Sequence, residues 1–126
     1  MVESINTKVD LVIKGSSMLG LGSYGQIMIG DRGFEFFDER NVNNYIQIPW
    51  DEVDYVIAEV LFGGHWIPRY ALRTKRNGTY TFASKQPKVV LRAIRKYVEP
   101  EHMVRSLSFF QGIWRGLKAL IHRKKH

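Results

Sequence analysis

The sequence predicts an α+β domain: an antiparallel, strongly bent or closed sheet of about six to seven strands, followed by two C-terminal helices. Three observations carry that expectation. From Lys8 to Ser84, apolar and polar residues alternate in short runs separated by turn residues, the signature of antiparallel strands. After Ser84 the apolar period lengthens to about 3.6, as on one face of a helix. The chain is 126 residues long, the size of one domain that buries a single core.

In chain order, Val9, Leu11 and Ile13 alternate with Asp10, Val12 and Lys14, which places a first strand ending near Lys14. Gly15 to Gly25, rich in Gly and Ser, reads as a loop. Gln26 to Gly30 and Phe34 to Asp38 form a hairpin about Asp31-Arg32-Gly33, with Gly33 expected to supply a positive φ. Glu39 to Asn44 is a polar connection, after which Tyr45, Gln47 and Ile48-Pro49-Trp50-Asp51-Glu52-Val53 lead into a strand from Tyr55 to Phe62, closed by Gly63-Gly64. Trp66 to Arg76 is a further strand, and Asn77-Gly78 marks a two-residue hairpin turn into Thr79 to Ala83.

Pro87 suits the first turn of a helix whose stripe is Val90, Leu91, Ile94, Tyr97 and Val98. Glu99-Pro100-Glu101 breaks it. A second helix is expected from near His102, because Met103, Leu107, Phe110, Trp114, Leu117 and Ile121 lie within about ±40° of one direction at about 100° per residue. The expected organisation is one sheet-and-helix domain over residues 1–100 and an amphipathic basic helix over 101–126.

The two halves carry opposite charge. Residues 1–62 hold four Lys/Arg against ten Asp/Glu, and residues 63–126 hold fifteen against two. So concentrated a basic surface faces a polyanion such as nucleic acid, an anionic membrane or an acidic protein. The chain has no Cys, which excludes disulfides, thiolate metal sites and cysteine nucleophiles and fits an intracellular setting. Met1 to Lys14 lacks the basic head and apolar block of a signal peptide. Arg105, Arg115 and Lys118 break the stretch from Val104 to Ile121, so it falls short of the roughly 20 apolar residues of a spanning helix.

No catalytic constellation stands out. Leu19-Gly20-Leu21-Gly22-Ser23-Tyr24-Gly25 fits GxGxxG and looks like a kinase glycine-rich loop, but the HRD and DFG motifs of a kinase are missing and a strand, not a Rossmann helix, follows. It reads as a strand connection. His65, His102, His122 and His126 show no zinc-binding pattern with a carboxylate base, and Asp51, Glu52 and Asp54 sit among core-type residues. There is no GxSxG elbow. A non-enzymatic protein without cofactor or metal is expected.

Two sets of side chains remain as binding candidates. On the second helix, Phe110, Trp114 and Leu117 form an apolar ridge to insert or dock, flanked by Arg115, Lys118, Arg123, Lys124 and Lys125, the pairing that anionic lipid surfaces favour. Arg69, Arg73, Lys75, Lys88, Arg92 and Arg95 are candidates for an anion-binding face.

A strand meander closed by a helix resembles the pleckstrin-homology-like barrel, including its bacterial and GRAM-type members. The likeness is carried by Ile46 to Val56, Tyr80-Thr81-Phe82-Ala83-Ser84 and Val89 to Val98. More narrowly, Ser16-Ser17-Met18-Leu19-Gly20 and Ile48-Pro49-Trp50-Asp51-Glu52-Val53 make the whole chain similar to the ManO-type family, encoded in Gram-positive bacteria beside mannose-class phosphotransferase permeases. That resemblance implies a cytoplasmic accessory or regulator of sugar uptake, peripheral at the inner membrane face, and brings no catalytic motif. Phosphoinositide-binding relatives use a basic loop between their first two strands, whereas Gly15 to Gly25 contains no Lys or Arg. The leading expectation is a module bound to anionic lipid or to a membrane-associated permease complex. The alternatives are a nucleic-acid-binding regulator using Lys88, Arg92 and Arg95, and an oligomeric scaffold formed through the C-terminal helix.

Overall fold

The computed structural model describes residues 2–18 and 23–111. The described residues are mostly sheet: eight strands in the order β4-β3-β2-β1-β7-β6-β5-β8, packed with the helix α1. The strands are β1 (Val9–Ser17), β2 (Ser23–Gly30), β3 (Gly33–Asp38), β4 (Tyr45–Pro49), β5 (Val53–Ala58), β6 (Tyr70–Thr74), β7 (Thr79–Ser84) and β8 (Met103–Arg105), and the helix is α1 (Pro87–Ile94). β1 to β4 form one antiparallel meander and β5 to β7 a second. They join where Gly15, Ser16 and Ser17 pair with Ser84, Ala83 and Phe82.

Two glycines explain why the expected loop from Gly15 to Gly25 is strand at both ends. Gly15 faces Gly25 in the β1–β2 register. A Cβ on Gly25 would stand 2.0 Å from the Phe37 carbonyl oxygen, and one on Gly15 would stand 2.7 Å from that of Ala83. These glycines let strands approach closely instead of making a turn.

The 31–33 turn is also built differently from expectation, since Gly33 is not among the residues with positive φ. The N-terminal segment braces it. The Asn6 side-chain oxygen accepts from the Arg32 and Gly33 amides at 2.7 and 2.8 Å. The Asp31 carboxylate accepts from the Thr7 and Lys8 amides, both at 2.9 Å, and from the Thr7 hydroxyl. In the β6–β7 connection the Thr74 amide bonds the Gly78 carbonyl at 2.9 Å. Lys75, Arg76 and Asn77 therefore form a longer loop than the two residues expected, with Gly78 at φ 82°.

One core is shared by both meanders and α1. Ile27, Ile29, Phe34, Phe36 and Ile48 come from the first meander, Val53, Val56, Tyr70, Leu72 and Phe82 from the second, and Val90 and Ile94 from α1. For both meanders to reach one core, the sheet must bend around it. Phe82 is the hub, its ring centre 4.7 Å from Phe34, 6.1 Å from Phe36 and 6.4 Å from Tyr70. Each such buried ring or aliphatic chain contributes about 1.5–3 kcal/mol of transfer free energy.

Where a second helix was expected from His102, the chain instead makes a 3-10 turn over Pro100–His102 and then β8. β8 runs parallel to β5, placing Met103, Val104 and Arg105 beside Val56, Ile57 and Ala58. Pro100 ends the preceding turns, and the unpaired edge of β5 supplies hydrogen-bond partners that an isolated first helical turn does not. Helix begins only at residue 107.

Candidate cationic cleft

Residues 107–111 lie across the outer face of β5 and β6. Alternation along a strand sends Val56 and Ala58 to the inside and Ile57 to the outside. There Ile57, Ala71 and Phe110 form a second buried cluster, with Tyr55 and Phe109 packed on it. Phe110 is fully buried. Phe110, expected with Trp114 and Leu117 to insert into or dock on a partner, is thus a core residue of its own chain. Trp114, Leu117, Arg115, Lys118, Arg123, Lys124 and Lys125 lie outside the described residues.

Ion pairing sorts the anion-binding candidates. Among the described residues, every ion pair joins a cation to a carboxylate of the acidic first half: Arg69 to Glu59 at 2.8 Å, Arg73 to Asp54 at 3.6 Å and Lys96 to Asp10 at 3.5 Å. The Arg69 pair is a part-buried two-pronged fork, whereas Arg73 is an exposed contact of small energetic weight. Lys75 lies in the β6–β7 loop, and Arg92 is exposed on α1. Lys88 of α1 and Arg95, the C-cap of that helix, are seven residues apart and therefore on one side, and they share a cleft.

That cleft, of about 530 Å³, is lined by residues of α1, β5 and β8. Leu91 of α1, Val56 and Ala58 of β5, Ile67 and Met103 form its apolar walls. Among the described residues its cations are Lys88, Arg95 and Arg105, and no carboxylate lines it. None of the three makes an ion pair among the described residues. Arg105 reaches it because β8 sets that residue beside Ala58, two positions beyond Met103 on the same strand face. The sequence reading used Arg105 only to interrupt an apolar stretch. Its role depends on β8, a strand invisible in the helical periodicity of that region.

The far rim is the turn between β5 and β6. Phe62, Gly63 and Gly64 all have positive φ, at 52°, 66° and 95°. Open space surrounds both glycines, so backbone conformation, not crowding, selects them. A bulky residue in the left-handed region is strained, at a cost of order 1–3 kcal/mol. That strain presents a side chain 73% exposed, stacked 6.1 Å from Trp66, itself 53% exposed. Val89, Val104 and Leu107 are further exposed apolar residues in the segments bordering the cleft or next to its lining. Two aromatics bracketing a double glycine at a hairpin tip, where no core remains to receive them, are the signal that sequence reasoning passed over as strand ends.

Elsewhere several polar groups brace one another. Asp10 is held below the ordinary carboxylate range, first by the Tyr97 hydroxyl and then by Lys96, while the same contact pushes the Tyr97 phenol up to about 12. Thr7 and the Lys8 amide hold Asp31 at about 2. Among the described residues no group of three or more His, Cys, Asp or Glu is placed to hold a metal, and no helix is long and apolar enough to cross a membrane. Residues 19–22 of the GxGxxG stretch are outside the described residues, and Ser23 to Gly25 belong to β2.

The chain is similar to a solved structure titled "Crystal structure of the C-terminal domain of an unknown protein from Leishmania infantum", at 14% identity and a TM-score of 0.61 over 71% of this chain and 83% of that one. At that identity the likeness concerns the fold alone. Among curated proteins, none matches the sequence. A family match spans residues 1–117, nearly the whole chain, and by it the protein belongs to the family described as "Domain of unknown function (DUF956)".

Proposed function

We propose that this protein is a non-enzymatic binding module, pleckstrin-homology-like in fold, that docks on the anionic cytoplasmic face of the cell membrane. Two meanders joined through β1 and β7, bent round one core that α1 helps close, support the fold assignment. The observation that carries the docking reading is the exposed Phe62–Trp66 stack at the rim of a cleft holding Lys88, Arg95 and Arg105 without a carboxylate among the described residues. Aromatic side chains favour the headgroup boundary, and each basic group near an anionic lipid surface contributes about 1 kcal/mol. Phe62 and Trp66 insert, and the three cations steer and hold. The resemblance to the ManO-type family supports a mannose-class phosphotransferase permease complex as the neighbour on that membrane, with the protein its accessory or regulator.

Sedimentation with vesicles tests this. Recovery with phosphatidylglycerol vesicles falls as salt rises, and replacing both Phe62 and Trp66 by Ala abolishes it. Equal recovery with neutral phosphatidylcholine vesicles contradicts the reading.

A further inference from the structure

We infer that the cleft between α1 and β8 is a discrete site for a phosphate monoester carried on an apolar stem, not merely a patch of diffuse positive charge. It rests on the reading of this face as anion-binding, but not on insertion of the aromatic tip. Three features separate a site from a patch. The cleft is concave and, at about 530 Å³, has a volume usual for small-ligand pockets. Its walls are apolar, formed by Val56, Leu91 and Met103 among others, so a hydrocarbon or aryl group loses water on entering. Its cations are two guanidinium groups and one ammonium, contributed by two elements held apart by the fold. Guanidinium forks match the planes of phosphate oxygens, and a monoester near neutral pH carries close to two negative charges for the three cations to share.

The absence of a lining carboxylate matters for the same reason. Arg69, Arg73 and Lys96 each have an acidic partner, whereas Lys88, Arg95 and Arg105 have none among the described residues. Among the described residues there is no internal anion in the cleft for an external one to displace. The phosphate monoester is either a soluble metabolite or the terminal phosphate of a lipid headgroup, and the chemistry of recognition is shared.

The test is calorimetric titration of the full chain with phenyl phosphate, inorganic phosphate and benzyl alcohol, beside sedimentation with phosphatidylcholine vesicles carrying phosphatidate. Phenyl phosphate should bind at least tenfold more tightly than inorganic phosphate, and benzyl alcohol should give no saturable heat. Single substitutions R95A and R105A, both at exposed positions, should each weaken binding about tenfold with the melting temperature unchanged. Substituting Phe62 and Trp66 by Ala should leave phenyl phosphate affinity within twofold. Saturable binding in solution identifies a soluble ligand, and Arg95-dependent binding seen only on phosphatidate vesicles identifies the headgroup; either supports the site. Failure of both probes, or affinities indifferent to R95A and R105A, overturns it. Loss of vesicle binding in the aromatic variant with phenyl phosphate binding retained keeps the two proposals separable.

Discussion

The guanidinium carbon of Arg69 stands 5.5 Å from the centre of the Phe110 ring, while two of its nitrogens hold the Glu59 carboxylate at 2.9 and 2.8 Å. The arginine that sequence reasoning offered to an external anion and the phenylalanine it offered to an external surface occupy each other. Both act in folding, fastening residues 107–111 to β5 and β6.

Phe110→Ala is therefore expected to destabilise the protein by about 3–5 kcal/mol, the cost of emptying a buried aromatic site. Denaturant titration measures it. At a temperature where the variant stays folded, vesicle binding should match wild type. A Phe110→Ala variant of native stability that no longer binds vesicles returns Phe110 to the surface.

Arg69→Ala leaves the buried Glu59 carboxylate without its partner and should cost about 3–5 kcal/mol. Arg69→Lys keeps the charge but not the fork, so its loss should be smaller. If both substitutions prove neutral in denaturant titration, the fork has no part in stability.

Glu35 is fully buried and accepts from the Ser4 hydroxyl, the Ile5 amide at 3.1 Å, Asn6 Nδ2 at 2.7 Å and Gln47 Nε2 at 2.8 Å. Glu35→Ala strands several donors at once, each costing about 1–3 kcal/mol when left unpaired. Amide hydrogen exchange should show protection lost at residues 5–8, together with a lowered denaturation midpoint. Retained protection there means the N-terminal segment is held by other contacts.

Acid should loosen the same segment. Asp31 is held at about 2 against an ordinary value of 3.8. Because its folded-state pKa is depressed, its stabilising contribution is present above about pH 4 and disappears as pH falls from there towards about 2. Asp10, also lowered, acts in the same direction. Asp31→Asn should flatten the acid side of the stability profile, measured by denaturant midpoints from pH 6 to pH 2. A wild-type profile level across that range contradicts the assignment.

How far the sequence could be read follows from the range of each interaction. Period-two alternation located six of the eight strands, because each buries one face in a common core, and α1 followed from Pro87 and its apolar stripe. β8 was missed because Met103, Leu107 and Phe110 fit a helical period while the competing attraction, the open edge of β5, lies more than forty residues earlier in the chain. Lys88 and Arg95 were readable as a pair from helical spacing. Arg105 and the Phe62–Trp66 stack were not, since their place depends on how β8 and the hairpin tip come together around the cleft.

The most direct test of the account is sedimentation of the full chain with phosphatidylglycerol and with phosphatidylcholine vesicles, comparing wild type with the Phe62→Ala/Trp66→Ala and Arg95→Ala/Arg105→Ala double variants. Docking through the cleft and its aromatic rim gives salt-sensitive recovery with the anionic vesicles only, reduced at least tenfold by either double substitution while both variants keep the wild-type melting temperature. Recovery that ignores lipid charge, or that survives both double substitutions, would contradict it.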